Sequence, residues 1–161
     1  APFILIRYLG CSEGVYGVLA MIPFIGQLTG SLLLVRYSGC MNCKQWIGLG
    51  LLLDVFAVLF LLVFFTYHVI TVYSLLIPVI FLFFGHAIIS STAWALFVIT
   101  LTDKGNGVSV GCFIYLSVAV LSTLVLTLLH SMNHLVLPFI YLGLIVMMLL
   151  LFFFGRGCYE I

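Results

Sequence analysis

Between Val72 and Leu101 the sequence holds no aspartate, glutamate, lysine or arginine. A helix needs about 20 such residues to cross about 30 Å of hydrocarbon, so this run can span a bilayer and must tilt, kink or protrude. Pro78 and Gly85 are the places where it would bend. The rest of the chain offers no soluble alternative: 66% of its residues are hydrophobic and 6% are charged, at a mean hydropathy of +1.45. A water-facing surface needs about a quarter of its residues charged, so a protein embedded in the lipid bilayer is the class that composition leaves. The net charge of +1 argues against nucleic acid as a partner, because that requires a basic patch.

Four further apolar runs, over residues 15–35, 46–67, 108–129 and 135–154, are long enough to cross. Residues 3–9 are apolar but too short, and read as the last turns of a helix that begins upstream. The expected fold is therefore all-α: a polytopic transmembrane helix bundle of five full spans plus the end of a sixth. With short loops and no linker, residues 1–161 form a single domain. Ser12 and Glu13 are placed to cap the first span, and Pro23 is expected to kink it. Tyr16, Ala20, Pro23, Gln27 and Ser31 share one of its faces. Trp46 and Tyr67 bracket the second span as interfacial aromatics would. Residues 103–107, Asp-Lys-Gly-Asn-Gly, read as a tight turn, and 130–134 as a loop.

Residues 23–44 set the packing and the orientation. Gly26 and Gly30 have the small-xxx-small spacing that allows two membrane helices to approach closely. Beyond them the chain turns polar at Arg36, Ser38, Gly39, Asn42 and Lys44. When five spans alternate, Arg36, Lys44, Lys104 and Arg156 fall on one side and only Arg7 on the other. The positive-inside rule makes the Lys/Arg-rich side, and with it the C-terminus, cytoplasmic.

Little soluble chemistry is on offer. Cys40 and Cys43 form one CxxC in this basic loop, with no second pair or HxxxH to complete a zinc site. Neither a metal nor a cofactor is expected. His130 and His134 lack a catalytic glutamate, there is no phosphate-binding loop, and no nucleophile elbow is present. Enzymatic activity is not expected.

Two features inside the spans invite function. Asp54 is the only acid well inside a run, where an ionised group costs about 2.5–3.5 kcal/mol on insertion scales. It is either a proton-coupling carboxylate or a group bonding across helices. His86, Ser90 and Trp94 follow at i, i+4 and i+8 on one helical face. Imidazole, hydroxyl and indole together can hydrogen-bond and stack an amphipathic small molecule, or they can serve packing alone. Gln27 and Tyr115 are further candidates for either role.

Three local stretches resemble the C-terminal half of a major facilitator superfamily transporter of the Bcr/CflA drug-resistance branch. Residues 30–36, Gly-Ser-Leu-Leu-Leu-Val-Arg, look like the second copy of the family's cytoplasmic glycine-arginine loop motif, with Gly39 just beyond. Residues 82–89, Leu-Phe-Phe-Gly-His-Ala-Ile-Ile, look like its helix-ten run with a mid-helix glycine. Residues 104–109, Lys-Gly-Asn-Gly-Val-Ser, look like the small-residue start of helix eleven. Ser91 and Thr92 stand where the family often has proline and asparagine, and Tyr115 where it often has glutamine. The resemblance implies that the chain is the second half of the fold, from the end of helix seven to helix twelve. It further implies an absent N-terminal six-helix half as partner, and a substrate site between the halves. His86, Ser90, Trp94, Gln27 and Tyr115 would then be substrate-binding, and Gly30, Arg36 and Gly39 the loop motif. The function so implied is secondary active transport, a proton-driven efflux of small amphipathic compounds across a bacterial inner membrane. The competing expectation is a truncated membrane protein that transports nothing and serves as a scaffold or partner subunit.

Overall fold

The computed structural model describes residues 10, 12–67, 71–129 and 136–154. The expected remnant at residues 3–9, the loop 130–134 and the tail with Arg156 lie outside the described residues, as do Arg7 and Cys11. Every described element is an α-helix: α1 (Glu13–Met21), α2 (Pro23–Tyr37), α3 (Cys43–Thr66), α4 (Val72–Thr100), α5 (Lys104–Leu129) and α6 (Val136–Phe154). Four stretches are long and apolar enough to cross a membrane: α1 with α2, then α3, α4 and α5. The apolar helix α6 is shorter.

Polar groups at the starts of α1, α3, α4 and α5 satisfy N–H donors that would otherwise be unpaired. Gly10 takes a positive φ of 67°, and Ser12 then caps α1, its Oγ accepting from the Val15 N–H at 3.4 Å. The kink expected at Pro23 falls where α1 passes into α2: Ile22 between them keeps helical φ and ψ, and Pro23 is in the first turn of α2, where its missing N–H costs nothing. Asn42 and Gln45 form a reciprocal capping box, so α3 begins at Cys43, three residues before Trp46. Cys43 and Lys44 thus belong to a helix and not to a loop. Thr71 and Ser74 form the same box for α4, which runs through Pro78 and Gly85 as one element. Residues 103–107 are no turn between elements but the cap and first turn of α5. The Asp103 carboxylate accepts from the Gly105 N–H at 3.2 Å and from Asn106 Nδ2 at 2.7 Å, which offsets the low helix propensity of two glycines.

Helix α4 is the centre of the fold, with α3 on one side and α2 on the other; α6 covers α3, and α5 touches α4 only slightly. Glycine makes both principal crossings. A Cβ on Gly26 would collide with the Ile80 carbonyl oxygen, and one on Gly30 would meet the Phe84 carbonyl oxygen at 2.6 Å and the Ala87 Cβ at 3.1 Å. The expected small-residue contact of α2 is therefore with α4. On the other side, Gly50 and Gly85 bring α3 and α4 together: a Cβ on Gly50 would lie 2.9 Å from the Gly85 carbonyl oxygen. The α2 and α4 contacts advance in the same sequence direction, so these two helices run parallel, and Arg36, Lys44 and Lys104 share one end of the bundle.

Two apolar clusters flank the α3–α4 crossing. One gathers Leu61, Phe65 and Leu75 with Tyr16, Leu19 and Tyr141; the other gathers Ile47, Leu51 and Ile89 with Met148 and Phe152. Trp46, expected at an interface, is instead buried, and its indole Nε1 has no acceptor among the described residues. Several hydroxyls in the helices bond their own backbone. Thr92 donates to the Ile88 carbonyl at 2.7 Å, Ser117 to Phe113 at 2.8 Å and Ser122 to Val118 at 2.7 Å. That leaves these polar side chains compatible with an apolar surround.

Candidate functional site

The faces of α4 divide sharply. Gly85, Ala87, Ile88, Ile89 and Thr92 are buried against α2 and α3. His86, Ser90 and Trp94 are only half-buried. Ser90 donates to its own Ala87 carbonyl at 3.3 Å and, among the described residues, to no neighbouring helix. The stripe is therefore not part of the principal packing surfaces of α4.

At its C-terminal end the stripe meets α5. The Trp94 ring lies edge-on to Tyr115, with centroids 6.4 Å apart, and edge-on to Phe97 at 5.4 Å. Gly111 makes room: a Cβ there would meet Phe97 Cε1 at 2.6 Å and Trp94 Cη2 at 3.3 Å. Trp94 and Tyr115, which the sequence proposed separately, are thus one aromatic corner, open to the surround on the Tyr115 side. Helix α5 otherwise buries none of its described side chains.

Gln27 is not brought to this corner. It is exposed on α2, off the packed face formed by Pro23, Gly26 and Gly30. Sequence reasoning passed over Phe24 and Phe83, which meet edge-on across α2 and α4 with centroids 5.7 Å apart. Phe83 precedes His86 by three residues and Phe97 follows Trp94 by three, so extending the i, i+3, i+4 spacing of the stripe would have found both. The residues of the expected loop motif separate. Gly30 is an interhelical contact, Arg36 sits in the last turn of α2, and Gly39 is exposed with nothing near its Cα.

Asp54 lies at the α3–α4 crossing, 3% exposed, between the two apolar clusters. Its Oδ1 has no hydrogen-bond partner among the described residues, and a Cβ on Gly85 would collide with that oxygen. The bonding across helices that the sequence offered as one reading is not made to any described residue. Between α3 and α4, on the opposite side from α6, a half-open groove of about 500 Å³ is lined by Phe56, Phe60, Phe64, Tyr73 and Phe81, with Pro78 at its floor. No group of three or more metal-ligating side chains occurs among the described residues.

Compared with family models, curated proteins and solved structures, the chain matches none. The class that the described residues define is an all-helical protein with four helical stretches long and apolar enough to cross a membrane.

Proposed function

We propose that this chain is the second half of a secondary transporter of the major facilitator type, and that the α4 stripe with its α5 corner is its side of the substrate site. The observation that carries this reading is the division of α4: its small and aliphatic residues face α2 and α3, while His86, Ser90 and Trp94 lie on the part left open. A polar and aromatic face that the chain does not use for its own core suits a small amphipathic compound held by stacking and a few hydrogen bonds. In this reading the bundle has five full spans and the end of a sixth. A six-helix partner half closes the site from the other side, and rocking of the halves alternates access. The protein resides in a bacterial inner membrane and expels its substrate against a proton gradient, as the Bcr/CflA resemblance suggests.

Transport is tested with tetraphenylphosphonium, a lipophilic cation. Cells expressing the chain together with its six-helix half are expected to accumulate several-fold less of it than control cells, and a proton ionophore should abolish the difference. Equal accumulation would remove transport and leave the non-transporting scaffold. Orientation is tested separately. The cations Arg36, Lys44 and Lys104 at one end make that end cytoplasmic, and the C-terminus with it. Cys43 is an exposed free thiol at the start of α3. In a variant whose only cysteine is Cys43, an impermeant maleimide should label inside-out vesicles and leave intact cells unmodified; the reverse pattern inverts the topology.

A further inference from the structure

The Asp54 carboxyl lies at the close approach of α3 and α4 that Gly50 and Gly85 allow, and it has no hydrogen-bond donor among the described residues to hold it. It makes no hydrogen bond or ion pair with any described residue. Gly85 carries no side chain, so the carboxyl rests directly on the α4 backbone, beside a Gly50 carbonyl oxygen that a Cβ on Gly85 would meet at 2.8 Å. Along the helices the Leu51 and Ile89 cluster lies about one turn to one side of this position, and the Leu61 and Leu75 cluster begins about two turns to the other.

Few ionisable groups belong to the elements around it. On α3 itself, Cys43 and Lys44 are in the first turn, about 15 Å away along the helix. Helix α6 contributes Tyr141, which packs on Leu61, Phe65 and Leu75, about two turns from Asp54. On α4, Tyr73 is 76% exposed, and His86 follows Gly85 directly on the half-open stripe. No Lys or Arg belongs to the described part of α4 or α6. A carboxylate here would lack both water and a countercharge, whereas the neutral acid is tolerated.

The geometry points to Asp54 as a proton-binding site that latches α3 to α4. With the proton on, the carboxyl lies against Gly85 and the crossing stays closed. With the O–H bond broken, the electron pair stays on the carboxylate and the proton passes to water. The crossing then opens to hydrate the charge, and α4 shifts with it. Because Gly85 and His86 are consecutive, that shift moves the face bearing His86, Ser90 and Trp94. The inference deepens, and rests on, the reading of that face as the substrate side: it supplies the route by which a proton would govern it.

The test needs no transport assay. The chain has two tryptophans, so Trp46→Phe leaves Trp94 as the sole indole reporter. In lipid nanodiscs its emission is expected to shift to the red through a single-proton transition as pH rises. Asp54→Asn, an uncharged substitute of the same size, should leave the emission flat, and His86→Gln should retain the transition. A transition that persists in Asp54→Asn, or that disappears in His86→Gln, overturns the latch, as does flat emission in the parent. A pH-difference infrared spectrum of the chain with both tryptophans gives the second measurement. A protonated carboxylic C=O band should be lost as pH rises and be missing from the Asp54→Asn spectrum. Its absence at every pH overturns the proton site whatever the fluorescence does. A midpoint that moves with sodium concentration would replace the proton as ligand. If the transition is present and tetraphenylphosphonium is not expelled, the transport reading fails and the latch stands.

Discussion

Gly85→Leu is expected to eliminate monodisperse, folded protein from a detergent extract, and Gly26→Leu to do the same. Added volume in a packed core costs about 1–3 kcal/mol where side chains can adjust, and more where they cannot. At these two positions the first obstacles include the Gly50 and Ile80 carbonyls, which are backbone and held in helices. The helices would have to move apart, and in hydrocarbon close van der Waals contact is much of what holds them together. Gly143→Leu is the matched control, because a Cβ there meets nothing within 4 Å. Size-exclusion profiles and thermal midpoints of the three variants decide the matter. A Gly85→Leu protein as stable as the parent would mean that α3 and α4 do not cross where the structure places them.

Of the two crossings of α4, only the one with α2 was legible in the sequence. Gly26 and Gly30 announce themselves by local spacing, and their role in packing followed directly. Gly50 and Gly85 are far apart in the chain, so nothing local says that they meet, and Gly85 read only as a place to bend. The same holds for Asp54: its depth could be counted from the start of its run, but not that its neighbour is a bare backbone. The helices themselves were easy to find because long uncharged runs have few alternatives. Their faces were not, because a helix apolar all round gives no amphipathic stripe to separate core from surround. Trp46 illustrates the cost. An indole near a span's end suits an interface and equally suits burial, and the structure buries it. The start of α5 was missed for a different reason. Gly105 and Gly107 argue for a turn, and only the bonds gathered by the Asp103 carboxylate reverse that reading. The His86, Ser90 and Trp94 stripe was visible because polar groups are rare enough in these runs for their spacing to stand out. Its continuation through Phe83 and Phe97 was hidden among the 15 phenylalanines of the chain.

On the proposed transport reading, with the chain joined to a six-helix half, His86→Ala and Trp94→Ala are expected to raise the tetraphenylphosphonium concentration for half-maximal efflux several-fold, without lowering the amount of protein in the membrane. An aromatic contact contributes about 0.5–1.5 kcal/mol beyond its buried area, which is the size of that change. Trp94 also touches Phe97 and Tyr115, so truncation disturbs the α4–α5 corner as well as any ligand contact. Trp94→Phe separates the two effects: it keeps a ring in the corner and should recover most of the loss. Phe81→Ala tests a different face of α4, because Phe81 is 54% exposed and lines the groove toward α3. It should leave the half-maximal concentration unchanged. Ile88 sits about 200° around the helix from His86, which made it a candidate for the same comparison. Its side chain is fully buried, however, so Ile88→Ala should behave differently. Large-to-small changes in a core cost about 2–5 kcal/mol, and its signature is less folded protein. The two outcomes are read on separate axes, affinity for the stripe and yield for the core. Should Trp94→Ala lower yield as Ile88→Ala does, with no change in the concentration dependence of the protein that remains, the open face of α4 is packing surface and the proposed substrate site is lost.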